Sequence, residues 1–225
     1  MAKKSVVVTV LFVGLVGIWM GGCETQEQKV ERLIKKLGHK KAKVRANATE
    51  ALSNIGEDAV PALIQALQNQ DEWVRSRATL ALGRIGGGAE DAVPALIQTL
   101  QDQDVYVRKY AASALGSIGE GAIDAVPALI QALQDQDIRI NAAFALGKIG
   151  KDAVPALIQA LKDENKDVHG NAAYALGQIG EGAVSALIQA LKDENKIVRR
   201  NAAFALGKIG TPEALKAVEE YQPQQ

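Results

Sequence analysis

The sequence predicts an all-α fold, a solenoid of antiparallel helix pairs, from three observations. The ten residues NAAFALGKIG stand at 141–150 and again, letter for letter, at 201–210. A second phrase, ALIQAL or ALIQTL, is preceded in one slot by Pro61, Pro94, Pro127, Pro155 and Ser185, at intervals of 33, 33, 28 and 30 residues. Repetition at such a period marks a supersecondary unit that cannot bury its apolar face alone and must stack on copies of itself. The composition points to helices as that unit: hydrophobic residues make up 48% of the 225 and aromatics only 4%. The Ala, Leu, Ile and Val that dominate suit helices packed closely through small side chains.

The first 22 residues read as an export signal of lipoprotein type. Lys3 and Lys4 precede an apolar run over residues 6–20, and Gly21, Gly22 and Cys23 follow. That is a positive n-region, an apolar core and small residues before a cut. The run falls short of the roughly 20 residues of a membrane-spanning helix. The ending resembles the lipobox of bacterial lipoproteins, which implies that Cys23 is lipidated and becomes the mature N-terminus. Met20 departs from the branched aliphatic residue usual there, and the other reading is an uncleaved N-terminal anchor. Either way the body is expected to be exported and held on the far side of a membrane. As the one cysteine of the chain, Cys23 permits no internal disulfide, so stability rests on packing. Residues 23–29 make a short tether.

Residues 30–221 carry the solenoid. Val30, Leu33, Ile34 and Leu37 match the second helix of later units, so the array opens on a lone B helix. Each unit then starts with an A helix written VRxxAxxALGxIG; in the third, Val107, Ala111, Ala114, Leu115 and Ile118 fall on one stripe. Asp71, Asp104, Asp135, Asn165 and Asn195, four residues before the arginine slot, are expected as N-caps. Gly86, Gly119, Gly150, Gly180 and Gly210 close the phrase, where left-handed C-caps belong. The B helix buries Val60, Leu63, Ile64 and Leu67 or their equivalents. Asp58, Asp91, Asp124 and Asp152 are placed to cap it, and the proline sits in its first turn, where a missing N–H costs little. About six pairs follow the leading helix. Thr211 and Pro212 open a last helix with Leu215, Val218 and Tyr221 on its stripe, and residues 222–225 form a tail. This last helix fits the repeat poorly, as a terminal unit with one face in water should.

The phrase VRxxAxxALGxIG followed by AVPALIQAL resembles the short HEAT-type repeats, specifically the HEAT-like repeats of phycobilisome lyases, across essentially all of residues 30–221. The resemblance implies a right-handed, armadillo-like superhelix with A helices outside and B helices lining a concave face. It implies little about chemistry, because the repeat serves many unrelated proteins.

The sequence offers little catalytic material. Lys plus Arg and Asp plus Glu number 26 each, and from residue 51 onward acids are in excess, so nucleic acid is not an expected partner. Some HEAT-like proteins are hydroxylases that hold two irons with repeated His-Glu pairs. Here His39 is followed by Lys40 and His169 by Gly170, so no metal or cofactor is expected. No histidine stands by a nucleophile, and the glycine-rich stretch at residues 86–91 lacks the lysine and serine of a phosphate loop.

Three rows remain. The arginine slot holds Arg45, Arg75, Arg108, Arg139, His169 and Arg199, read as a structural charge ladder reaching the loop of the adjacent unit, or else as a row for acidic groups. Gln65, Gln98, Gln131, Gln159 and Gln189 lie opposite the buried side of the B helices, either as an amide row for an extended peptide or glycan or as a solvated face. Phe144, Tyr174 and Phe204 share one A-helix slot and either form a contact site or fill gaps between A helices. The basic stretch at residues 35–45 is placed to touch anionic head groups. The expected function is a membrane-anchored scaffold or adaptor for protein partners without intrinsic catalysis, the rival class being a lyase-like or hydroxylase-like enzyme or enzyme accessory.

Overall fold

The computed structural model describes residues 24–221, which hold thirteen α-helices and no strand. The signal residues, Cys23 and the tail at 222–225 lie outside the described residues. Helix α1 (Gln26–Leu37) begins on a capping box. The Thr25 hydroxyl accepts from the Gln28 N–H at 3.2 Å, while Gln28 Oε1 accepts from the Thr25 N–H at 3.1 Å. It buries Val30, Leu33 and Leu37 and leaves Ile34 half-buried.

Six pairs follow in chain order: α2 (Ala42–Ile55) with α3 (Val60–Ala66), α4 (Glu72–Ile85) with α5 (Val93–Thr99), and α6 (Val105–Ile118) with α7 (Val126–Ala132). Then come α8 (Arg139–Ile149) with α9 (Val154–Ala160), α10 (Lys166–Ile179) with α11 (Glu181–Ala190), and α12 (Lys196–Ile209) with α13 (Pro212–Tyr221). The even-numbered A helices pack side by side in chain order, and each B helix from α3 to α11 packs on the A helix that follows it. The result is an α-solenoid with one continuous core of Leu, Val, Ile and Ala. In α6 the whole stripe, Val107, Ala111, Ala114, Leu115 and Ile118, is buried.

Five local expectations need correction. The glycines that close the A helices do have positive φ, from 67° to 88°. Only Gly210 is left-handed, however, at ψ 10°; Gly86, Gly119, Gly150 and Gly180 have ψ between −131° and −149°. That region is open essentially to glycine alone, and its extended ψ throws the chain across to the next helix instead of folding it back. The aspartates before the B helices make no side-chain cap, because a short 3-10 turn enters each of α3, α5, α7 and α9 through backbone bonds. Asp135 is not the N-cap of α8. The fourth unit is two residues shorter there, so α8 starts at Arg139 behind Ile138, and the Asp135 carboxylate accepts instead from the Asp137 N–H. In α13 Ala214 takes the buried place while Leu215 is exposed. Ile64 and its equivalents are half-buried, not buried.

The glycine of each ALG phrase has a packing cause. A Cβ on Gly83 would lie 3.2 Å from the Ala114 Cα, and one on Gly116 would lie 2.9 Å from the Ala145 Cα. On Gly147 it would meet the Gln178 Cβ at 2.8 Å, and on Gly177 the Lys208 Cδ at 2.7 Å. The next A helix therefore rests directly on these glycines, which is why they survive mid-helix at a cost of about 0.5–1 kcal/mol each relative to alanine.

Candidate functional site

The arginine slot lies at the loop that joins each B helix to the next A helix. Arg75 Nη1 donates to the Asn69 and Gln70 carbonyls at 2.8 and 3.0 Å, so it ties down the end of its own loop. Its Nε and Nη2 reach across to Asp102 of the next unit at 2.7 and 3.0 Å, a two-pronged pair. Arg108 repeats this with the Asp102 carbonyl and Asp135 Oδ2, at 2.9 and 3.0 Å. Arg139 reaches Asp167 at 2.7 Å. The other three members of the slot differ. The Arg45 guanidinium stacks 4.2 Å above the Trp73 ring. His169 Nδ1 lies 3.0 Å from the Asp163 carbonyl oxygen, and the bridge to the sixth unit is made by Lys162 and Asp193 at 3.1 Å. Arg199 donates to the Asp193 and Glu194 carbonyls, both at 2.8 Å, and pairs with no carboxylate among the described residues.

Two of these carboxylates feel the ladder. Burial raises Asp102, but hydrogen bonds from Arg75 and from the Asp104 N–H, with the charges of Arg75 and Arg108, hold it below its ordinary value. Asp193 is lowered by the Asn195 N–H and by Lys162. A carboxyl lowered by folding contributes stability above its unfolded pKa and loses it as pH falls through the folded value. The unfolding midpoint is therefore expected to stay level from pH 8 to about pH 5 and to fall below about pH 4. Asp102→Asn should flatten part of that acid limb in a series of thermal melts.

The surface sorts its charge by element. Helices α3, α5, α7 and α9 read VPALIQA or VPALIQT and contain no charged residue. Gln65, Gln98, Gln131 and Gln159 are exposed there beside the exposed Pro61, Pro94, Pro127 and Pro155, and Gln189 is exposed beside Ser185 on α11, whose one charge is Glu181 at its start. Beyond their first turns, α4 to α12 in the A row carry Arg77, Arg84, Lys109, Lys148, Arg200 and Lys208 besides the arginine slot, and no acid. From α4 to α12 the acids sit in the turns or at the first residues of a helix. An amide strip thus runs along the B row, bordered by acidic turns at α3, α5 and α7 and by turns of balanced charge at α9, with a basic surface on the A row.

The aromatics occupy the A row unequally. Phe144 and Tyr174 meet edge to face, with centroids 5.8 Å apart, and the Lys208 ammonium lies 4.3 Å over the Tyr174 ring. Tyr174 is half-buried in this contact, whereas Phe144 and Phe204 are 46% and 56% exposed. An open groove of about 550 Å³ runs between α6 and α8, floored by Gly116 and Ala145 and walled by Ser113, Ser117, Asn141, Phe144 and Lys148. Exposed Trp73, Tyr106, Ile140 and Ile197 on the same row escaped the sequence reading. They stand off the apolar stripe, and that break in period was the available signal. Among the described residues no three His, Cys, Asp or Glu side chains gather as a metal site, and no helix is long and apolar enough to cross a membrane.

Comparison with known proteins bears on this arrangement. Residues 30–100, 86–137, 126–183 and 154–222 match the family described as HEAT repeats. No curated protein matches the chain. Among solved structures, the complex of CpcE and CpcF of phycocyanin lyase from Nostoc sp. PCC7120 is 26% identical, over 92% of each chain, with a TM-score of 0.50. An archaeal HEAT-like repeats protein from Thermococcus onnurineus NA1 is 14% identical over 85% of this chain and 96% of that one, with a TM-score of 0.56. An engineered protein is 27% identical over 85% of this chain, which spans 61% of it, with a TM-score of 0.47.

Proposed function

The chain belongs to the HEAT-repeat family, and on that premise we propose that it is a non-catalytic scaffold that holds a protein partner along its B row. One observation carries the reading. The same exposed amide recurs on five successive B helices, four of which carry no charge at all. Solenoids present extended surfaces of this kind, and an amide ladder offers regularly spaced donors and acceptors to an extended backbone. The two histidines support the absence of catalysis. The His39 ring accepts from the Lys41 N–H and His169 serves its own loop, so neither attends a nucleophile. The test is recovery of partners by the chain starting at Glu24, against a variant with the five glutamines changed to alanine. Loss from the variant is expected, and equal recovery of every partner would sink the proposal.

The scaffold is exported and held at a membrane through lipidated Cys23, on the strength of the basic, apolar and small-residue order of the first 23 residues. The residues from Cys23 to Thr25, ahead of α1, serve as the tether, and the exposed lysines at 35–43 lie close enough to it to meet anionic head groups. Cys23→Ala is expected to abolish fatty-acid labelling and membrane fractionation; continued labelling would mean that the anchor is elsewhere.

A second reading, an accessory to a lyase, is favoured by the likeness to the phycocyanin lyase complex. It requires a tetrapyrrole or comparable ligand in the groove between α6 and α8, and absorbance of the purified chain after incubation with bilin decides it.

A further inference from the structure

The last A helix repeats the docking features of its predecessors, but the described chain fills none of them. Gly83, Gly116, Gly147 and Gly177 each carry the next A helix within 3.2 Å of where a Cβ would stand, whereas a Cβ on Gly207 would meet no atom within 4 Å. Ala112, Ala143 and Ala173 are fully buried, while Ala203 in the same slot is half-buried. Arg75, Arg108 and Arg139 pair with an aspartate of the following unit; Arg199, with its loop bonds in place, has no such carboxylate. Helix α13 packs on α12 and α11 from the B side and leaves this end face open. Glycine there costs helix stability and gains no packing among the described residues.

We propose that the open end of α12 is the docking site for a helical repeat unit of another protein. That unit sets a small residue against Gly207 and brings an aspartate or glutamate, from the loop before its helix, to Arg199. The interface is the one each unit already makes with the next, continued in trans. Charge selects the occupant. Lys196 and Arg200, on the helical phase of Ala203 and Gly207, flank the seat and are exposed, so an acidic loop is complementary. A second copy of this chain is a poor fit, because its first A helix, α2, is preceded by His39, Lys40 and Lys41, which would bring cations to Arg199. Its α1 would also have to occupy the place of α13. This goes beyond the scaffold reading, since it uses neither the glutamines nor the B row.

The probe is a synthetic peptide of residues 101–118, which within the chain fills the Gly83 seat and gives Asp102 to Arg75. A staple between Lys109 and Ser113, on its outer face, holds it helical. Titrated into the isotope-labelled chain from Glu24, it is expected to shift the amides of Ala203, Gly207 and Lys208 saturably. Asp102→Lys in the peptide should weaken binding at least tenfold, and Arg199→Glu in the protein should restore binding of that altered peptide. Gly207→Leu should abolish binding with no loss of helical circular dichroism, since its side chain enters open space. Absence of binding by the original peptide, or binding indifferent to Gly207→Leu, would overturn the proposal. So would self-association in sedimentation that Gly207→Leu removes, because the face would then belong to a second copy. Loss of partners from the glutamine variant is read separately, so this failure and that of the scaffold are distinguishable.

Discussion

Gly116→Ala lowers the urea midpoint and Gly207→Ala raises it, although each adds one methyl group to the same slot of the same phrase. At Gly116 the new Cβ meets the Ala145 backbone 2.9 Å away, so two helices must separate. Overpacking of a rigid contact costs about 1–3 kcal/mol, reduced by the better helix propensity of alanine, for a net loss of about 1–2 kcal/mol. At Gly207 the methyl meets nothing within 4 Å, so only the propensity remains, a gain of about 0.5–1 kcal/mol. Leucine at residue 116 should unfold the middle of the array by more than about 3 kcal/mol. Equal shifts for the two alanine variants would mean that the glycines do not seat neighbouring helices. Repeat arrays can lose cooperativity, so circular dichroism and Trp73 fluorescence should be followed together.

Arg75→Ala has the second large effect. It releases the Asn69 and Gln70 carbonyls and leaves Asp102, whose side chain is only 12% exposed, without its cation. Breaking a mostly buried, hydrogen-bonded pair by removing one partner is expected to cost about 2–4 kcal/mol. Arg199→Ala loses the loop bonds alone, for about 1 kcal/mol. A double-mutant cycle of Arg75→Ala with Asp102→Ala isolates the rung, and a coupling near zero would reduce the ladder to loop fastening.

The fold was legible because it is written repeatedly. Period, apolar stripe and the proline of the first B turn all come from local spacing, and the solenoid needs nothing else. What was not legible depends on the path between elements. A glycine at a helix end signals positive φ but not the ψ that goes with it, so Gly86 and Gly119 take an extended value that only the geometry of the crossing decides. The arginine slot looks uniform in one dimension. Its members part company because the partner lies about 27 residues away, where Asp102 and Asp135 exist for Arg75 and Arg108 but the described residues supply no carboxylate to Arg199. The need for glycine at 147 was not legible either, since the atom it yields to, the Gln178 Cβ, belongs to the next unit. Of the candidate surfaces, the exposure of the five glutamines followed from helical phase, whereas the burial of Tyr174 against Phe144 and Lys208 required the neighbouring helix to be in place.

The central claim, that a protein partner lies along the glutamines of the B row, is tested most directly by site-specific photo-crosslinking in cells. Benzoylphenylalanine is placed in turn at Gln98, Gln131 and Gln159, and at Ser117 on the A row as the comparison. The account predicts adducts to one common protein from the three B-row positions and none from Ser117. Adducts from Ser117 or from Phe144 replaced in the same way, with none from the glutamine positions, would contradict it.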